Sequence, residues 1–552
     1  MNRASQFRFL TRHFFDRFFD KDSISPGSDS KSNIIQSMAM LAVPGLMLGF
    51  MTLILPTAKG SYALYYFFVS YSMIVMGFVV VYKLKSLLPD KQDYQILCSL
   101  PIRYRDLFAA KVVALLLFLS LFSISANIFA SCMVPLSQSV GPVLPNFLAH
   151  GIAVFSGAIF MALTLCAVQG ILMNVLPNRI FSKLSTLFQM VSITVLVTVF
   201  LIFPLVASTI EPAVENSASY LGYFPFFWFL GVYVYLLPEG SVNPVFGILA
   251  VRAFYGLLVS SALFLTTNAI AYRRHAQSAL NELDSQPLRD DGWGFRVRHE
   301  MDRVLFRHQT QRACFRFIHA VLRQSSKHQL FLAVYLALGM SLGLSSLFSI
   351  DRSAAFPFRI MDKGMLAFPL ILSFFVISGL RATFNIPYEL QGNWIFKLTE
   401  ARDSQEYMTG TRKFVSVYGL LPLTPPIAAM EFAYWPWNKA LFHVAFASTI
   451  SLILVEILFL DFRKIPFTCS YYPGRKNMAI LGVVYMYGFT TYSSSMVSLE
   501  QWLLESAVRG VCFFAVASAF LLFFSSKSLR SNPSRLIFEE KSNTQFQNLE
   551  LS

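Results

Sequence analysis

Hydrophobic residues in this chain fall in long runs broken by short polar stretches. A helix needs roughly 20 apolar residues to cross a bilayer core about 30 Å thick. Twelve segments reach that length and are expected to be transmembrane helices: residues 35–55, 62–82, 112–134, 151–175, 184–206, 245–272, 330–350, 365–386, 414–434, 440–460, 478–496 and 507–524. Pro422, Pro425 and Pro426 interrupt the ninth, which is expected to kink there while neighbouring helices satisfy the freed carbonyls. Two other stretches carry apolar residues on one helical face only. In 6–20, Phe7, Leu10, Phe14, Phe15 and Phe18 lie on one side and Arg12, His13, Asp16 and Arg17 on the other. In 295–324, Met301, Leu305, His308, Phe315, Ile318 and Leu322 share a face. A basic amphipathic helix beside a span lies in the membrane interface, as an anchor, as a contact for a cytoplasmic partner, or as both.

Composition agrees with burial in lipid. Charged residues are 14% of the chain and hydrophobic ones 55%, whereas soluble domains carry about 25% charged residues. No short apolar stretch followed by a small-residue cleavage site opens the chain, so no cleavable signal peptide is expected. The net charge of +15 invites a nucleic-acid reading, but its distribution is topological. With the N-terminus in the cytoplasm, about 38 of the 45 Lys and Arg fall on the cytoplasmic side and about five in outer loops, the bias of the positive-inside rule. The other two, Arg252 and Arg509, fall within spans, and outer residues 207–243 contain neither Lys nor Arg. An odd number of spans would scramble this pattern. The expectation is an all-α, multi-pass protein of a bacterial inner membrane, with both termini cytoplasmic, lipids as its surroundings and no nucleic-acid partner.

Little in the chain points to catalysis. There is no GxxxxGK[ST], so ATP is not expected to bind here as in a P-loop protein. No Ser/His/Asp grouping or carboxylate pair stands out. His299, His308, His319 and His328 share a basic stretch without metal-ligand spacing, and the six cysteines include no close pair. No catalytic residue, metal or resident cofactor is therefore expected. Charges inside spans are costly and mark candidate substrate-path residues: Arg252, Glu431 and Glu456, with inter-helix pairing as the structural alternative. Glu456 lies about two turns from Arg463 and is a candidate to pair or to snorkel. Residues 465–476, IPFTCSYYPGRK, read as a compact cytoplasmic turn with no chemistry of their own.

The layout repeats. An amphipathic segment (1–34) precedes a first six-span half (35–272); a linker and second amphipathic helix (273–328) precede a second half (329–526); a tail (527–552) follows. Each half has a polar cytoplasmic segment between its second and third spans, 83–111 and 388–413. Pro89 and Pro387, the patches 96–97 and 394–396, Leu100 and Leu398, and Lys111 and Lys413 correspond.

The first of these segments carries Asp93, Leu97, Ser99, Leu100, Pro101, Ile102, Arg103, Arg105, Asp106, Leu107, Ala110 and Lys111. It resembles the segment after the second span in permease subunits of ABC-2-type transporters: an acidic residue, a Leu-rich patch, Ser-Leu-Pro-Ile, then a basic helix ending in Ala-Lys. Pro101 suits the entry to that helix. The resemblance implies that Leu100, Pro101, Ile102, Arg103, Arg105, Asp106 and Lys111 couple to an ATPase, and by position that Leu398, Glu400 and Arg402 do so in the second half. That half departs from the pattern, with Leu398-Thr399-Glu400-Ala401 in place of Ser-Leu-Pro-Ile and a short outer element around Ser498 to Glu505, so the two halves are expected to be unequal in coupling. Family half-units also have re-entrant structure between the fifth and sixth spans. The aromatic stretch 220–237, YLGYFPFFWFLGVYVYLL, stands there, with an interfacial aromatic belt as the alternative.

The resemblance implies a non-enzymatic permease subunit of an ATP-driven exporter. Separate P-loop ATPase subunits, two copies for two fused halves, would bind the ATP and Mg. Rival readings are an ion-coupled secondary transporter and, further off, a membrane-embedded lipid-modifying enzyme.

Overall fold

In a computed structural model, the described residues are 3–18, 30–54, 61–87, 102–138, 142–237, 243–281, 308–350, 358–393, 404–460, 462, 464–469 and 478–530. They divide into two compact units, Met1–Pro287 and Leu288–Ser552. The division falls inside the stretch read above as a linker.

The first unit holds α1 (Arg3–Phe18), α2 (Ser30–Ile54), α3 (Tyr62–Leu87), α4 (Tyr104–Gln138), α5 (Val143–Val175), α6 (Asn178–Glu215), α7 (Pro225–Tyr235) and α8 (Pro244–Asn281). The second holds α9 (Gln309–Gln324), α10 (Ser326–Leu347), a hairpin of β1 (Phe348–Ile350) and β2 (Phe358–Ile360), α11 (Asp362–Thr383), α12 (Ser404–Phe414), α13 (Thr424–Tyr434), α14 (Trp437–Leu458), α15 (Met478–Leu504) and α16 (Ala507–Arg530). Among the described residues the structure is mainly helical, with this antiparallel hairpin, in which Phe348 pairs with Ile360 and Ile350 with Phe358.

Among the described residues, nine helices are long and apolar enough to cross a membrane: α3, α4, α5, α6, α8, α10, α11, α14 and α16. A helix also covers the expected first and eleventh spans, as α2 and α15. The expected ninth span is broken rather than kinked. After α12 the backbone forms a π-helix at Val415–Leu420, then a turn, and resumes as α13. Pro422, Pro425 and Pro426 explain the break, since each removes a backbone donor and crowds the preceding turn.

Proline also starts helices. Pro142, Pro177 and Pro436 stand in extended conformation at the N-caps of α5, α6 and α14, where a missing N–H costs nothing. Within the helices, Ser and Thr hydroxyls donate to carbonyls one turn back, as in Ser341 to Ala337 (2.6 Å) and Ser451 to Ala447 (2.7 Å). A buried hydroxyl is thereby satisfied without water.

In each unit the second span is the hub. In α3, 72% of the apolar window is buried and in α11 83%, against at most 50% in any other candidate span. In the first unit α3 packs on α4, α5, α6 and α7; in the second, α11 packs on α10, α14, α15 and the π-turn. The first hub is tied by polar contacts as well as shape. Asn127 Nδ2 donates to Ser72 Oγ (2.9 Å), which donates to the Val154 carbonyl (2.8 Å), joining α4, α3 and α5. Such hydrogen bonds between helices hold well where lipid offers no competing partner. On its other side α4 meets α2 closely, since a Cβ on Gly45 would lie 2.3 Å from the Ala126 carbonyl oxygen.

Candidate functional site

The coupling-like residues fall at the start of α4. Ile102 is half-buried, Arg103 and Arg105 are exposed, and the Arg103 carbonyl accepts the N–H groups of Asp106 and Leu107 to open the helix. Asp106 in the first turn suits the positive end of the helix dipole. The basic helix and the third span are one rod of 35 residues. Leu100 and Pro101, and in the second half Leu398, Glu400 and Arg402, lie outside the described residues.

The amphipathic helix α1 is clamped on this rod. Leu10, Phe14 and Phe18 are buried, packed with Leu107, Ala110, Ala114, Leu115 and Phe118. Removing each such side chain from water is worth about 1.5–3 kcal/mol. The Phe18 and Phe118 rings meet edge to face at 5.4 Å, and the buried Lys111 ammonium sits 5.5 Å from the centre of the Phe14 ring. The apolar face expected at the membrane interface is thus taken up largely by protein.

The second unit repeats the clamp with different contacts. α9 packs on α12, the first helix after 388–403. Lys413, the counterpart of Lys111, donates from Nζ to Gln311 Oε1 at 2.9 Å, and Gln311 Nε2 donates to Glu406. Phe315 meets both Phe414 and Tyr418 at 5.2 Å. Cys314 is buried with Sγ 3.5 Å from Thr411 Oγ1; burial pushes its thiol up to about 11, with the Thr411 hydroxyl acting the other way. Of the predicted apolar face, Met301 and Leu305 lie outside the described residues. Phe315 and Ile318 are buried as that face requires, with Cys314 and Val321 beside them.

Two further contacts tie this region to the span bundle. Arg412 Nη1 donates to Glu456 Oε2 at 3.0 Å, both side chains largely buried, joining α12 to the end of α14. Of residues 465–476, read above as a plain turn, 465–469 are buried, as is Lys464 before them, and 470–476 lie outside the described residues. Phe467 takes a left-handed backbone (φ 65°), receives the Tyr388 N–H on its carbonyl (3.0 Å) and donates its own N–H to Phe384 (3.0 Å). Asn393 Nδ2 donates to the Thr468 carbonyl (2.8 Å). The turn therefore props the start of the segment that corresponds to 83–111.

The charges predicted inside spans do not form one site. Arg252 is exposed on α8 and reaches the link before α7, where a Cβ on Gly222 would lie 1.5 Å from its Nη1. α7 itself is a short apolar helix buried by Phe227, Phe229, Leu230, Tyr233 and Val234 against α3, α5 and α8. Glu456 lies roughly 20 Å along α14 from His443, the residue that Glu431 faces. Glu431 is fully buried, with Oε1 3.3 Å from His443 Nε2, and His443 Nδ1 is 2.6 Å from Glu500 Oε1. All three side chains are 0% exposed. The sequence reading named Glu431 but missed its partners. His443 is an ionisable residue inside an apolar run, and that alone was a readable signal; Glu500 was placed in an outer element. On another face of α15, Thr490, Ser494, Ser498 and Gln501 line a cavity of about 520 Å³ with Lys363.

Among the described residues no group of three or more His, Cys, Asp or Glu side chains is arranged to hold a metal ion. No protein-family model, curated protein or solved structure matches this chain.

Proposed function

We propose that this chain is the membrane permease subunit of an ATP-driven transporter of the ABC-2 type, acting as an exporter in a bacterial inner membrane. On this reading twelve spans form two halves of six, both termini are cytoplasmic, and separate P-loop ATPases, two per chain, bind ATP and Mg. The chain has no enzymatic activity of its own.

The observation that carries the reading is the repeated clamp. In each unit an amphipathic helix is fastened to the first turns of the helix that follows the polar segment between spans two and three. A push on that segment would be delivered to a packed lever rather than to a loose loop. In the first unit the lever runs unbroken into the third span as α4. In the second it ends at the π-turn, so the two levers differ in stiffness, in keeping with the missing Ser-Leu-Pro-Ile of the second half.

The test is purification of the tagged chain from its host in mild detergent, with identification of co-purifying proteins and an ATPase assay. The expected result is a stoichiometric P-loop ATPase lost on Arg103→Glu with Arg105→Glu, two exposed positions whose reversal leaves the fold intact. A chain that purifies alone and transports in reconstituted vesicles under an ion gradient sinks the reading. One observation favours that second reading, an ion-coupled carrier: the buried Glu431–His443–Glu500 cluster.

A further inference from the structure

The cluster of Glu431, His443 and Glu500 joins three helices, α13, α14 and α15, at one end of the second unit. Its three groups are fully buried and make no other ion pair among the described residues, while the Lys439 ammonium acts on Glu500 from outside the cluster. Fully unprotonated, with neutral imidazole, the trio carries two negative charges; with one proton it still carries one. A net charge at a fully buried site is costly. Only with two protons is the trio neutral, either as one carboxylic acid, one carboxylate and imidazolium, or as two carboxylic acids and neutral imidazole.

The geometry suits protons and not a metal ion. The carboxylates face opposite nitrogens of one ring, Glu500 at Nδ1 and Glu431 at Nε2, so they diverge and do not converge on a shared cation. A network built only for structure satisfies its acceptors. Here both Glu431 oxygens, His443 Nε2 and Glu500 Oε2 lack a hydrogen-bond partner within the chain, so the acceptors are not satisfied by structure alone.

Trp435 flanks the cluster on one side. Trp435, in the corner between α13 and α14, lies edge-on to His443 with ring centres 5.6 Å apart. Its Nε1 donates to Asp362 Oδ1 (3.4 Å), and the Lys439 ammonium sits 4.0 Å from its ring centre. Among the described residues, the other titratable and charged groups at this end of the packed helices are Arg359, Lys363, Tyr434, Glu505 and Arg509. Arg509 is held by Glu505 at 2.8 Å, and Lys363 faces the cavity.

We propose that Glu431, His443 and Glu500 form a proton-binding site that holds two protons among its three groups when closed and exchanges one with water beneath Trp435. The released proton passes to water on the Asp362 and Lys439 side, leaving a net negative cluster that is stable only when Trp435 and α13 move to admit water. Proton binding is thereby linked to the position of α13, and through α15 to the cavity that α15 lines.

The test is infrared spectroscopy of the purified full-length chain in lipid nanodiscs at neutral pH, with isotope-labelled glutamate to assign bands in the unmutated protein. It needs neither ATPase nor substrate, so its outcome is separate from that of the permease reading. The expected result is the C=O stretch of a protonated glutamic acid that shifts in D2O, weakens in Glu431→Gln or Glu500→Gln, and exchanges several-fold faster in Trp435→Phe, which loses the Asp362 bond. Absence of a protonated glutamic acid band from the unmutated protein overturns the proposal. So does a band that never shifts in D2O, or one whose intensity is undiminished in both glutamine variants.

Discussion

At the scale of single residues, burial decides which reactive groups can react. Cys314 is the clearest case outside the spans. It is 3% exposed, its thiol is held up to about 11, and its Sγ faces Thr411. Because the thiolate is the nucleophile, the raised value leaves almost none of it at neutral pH. Alkylation of Cys314 by a small maleimide, followed by mass spectrometry, is expected to be negligible near pH 7. It should climb about tenfold per pH unit above that, until the thiol titrates or the protein unfolds. Rapid labelling at neutral pH in the folded protein would show that α9 is not seated on α12. Arg252 illustrates the opposite case. An exposed cation on an apolar helix is tolerated because its long side chain reaches the space left open by Gly222.

At the scale of elements, the contact between α12 and α14 is the one to measure. Arg412 and Glu456 pair at 3.0 Å with side chains only 15% and 19% exposed. Arg412 also donates to the Phe459 carbonyl at 3.4 Å, so the bond locks a helix end as well as a charge. A double-mutant cycle of Arg412→Ala and Glu456→Ala, read by unfolding in detergent, is expected to return a coupling energy of about 1–3 kcal/mol. Additive effects of the two substitutions would mean that the pair does not join the elements. The same logic separates α1 from a simple membrane anchor. Its buried face is met by Leu107, Ala110 and Phe118 of α4, and an anchor in lipid has no need of such partners.

At the scale of the whole molecule, each unit is organised around one deeply buried apolar helix, α3 or α11; both pack on elements that follow them in the chain, but α11 also packs closely on the preceding α10, whereas α2 packs on α4. The proposed twelve-span topology makes a prediction at this scale. Reporter fusions after residues 90, 290 and 530 are expected to report cytoplasm, and those after 58, 240 and 355 the outer side. If sites on both sides of α13, for example after 402 and 436, reported the same compartment, the broken ninth span would not cross, and every later segment would reverse.

Among the described residues, the places of nine of the twelve expected spans were legible as helices long and apolar enough to cross, because a run of about twenty apolar residues has few alternatives to a helix in lipid, where the chain must satisfy its own backbone. The amphipathic faces of α1 and α9 were legible for a similar local reason, as were the proline interruptions before α13 and the candidacy of Glu431. What those faces bury was not legible, because a Phe stripe reads alike whether lipid or another helix covers it. Nor was the role of 464–469: its burial depends on Phe384, Tyr388 and Asn393, which are far away in the chain. The union of Glu431, His443 and Glu500 was hidden for the same reason. Each looks like an isolated cost to an apolar helix, and only the packing of α13, α14 and α15 brings the three groups together and turns three separate penalties into one shared site.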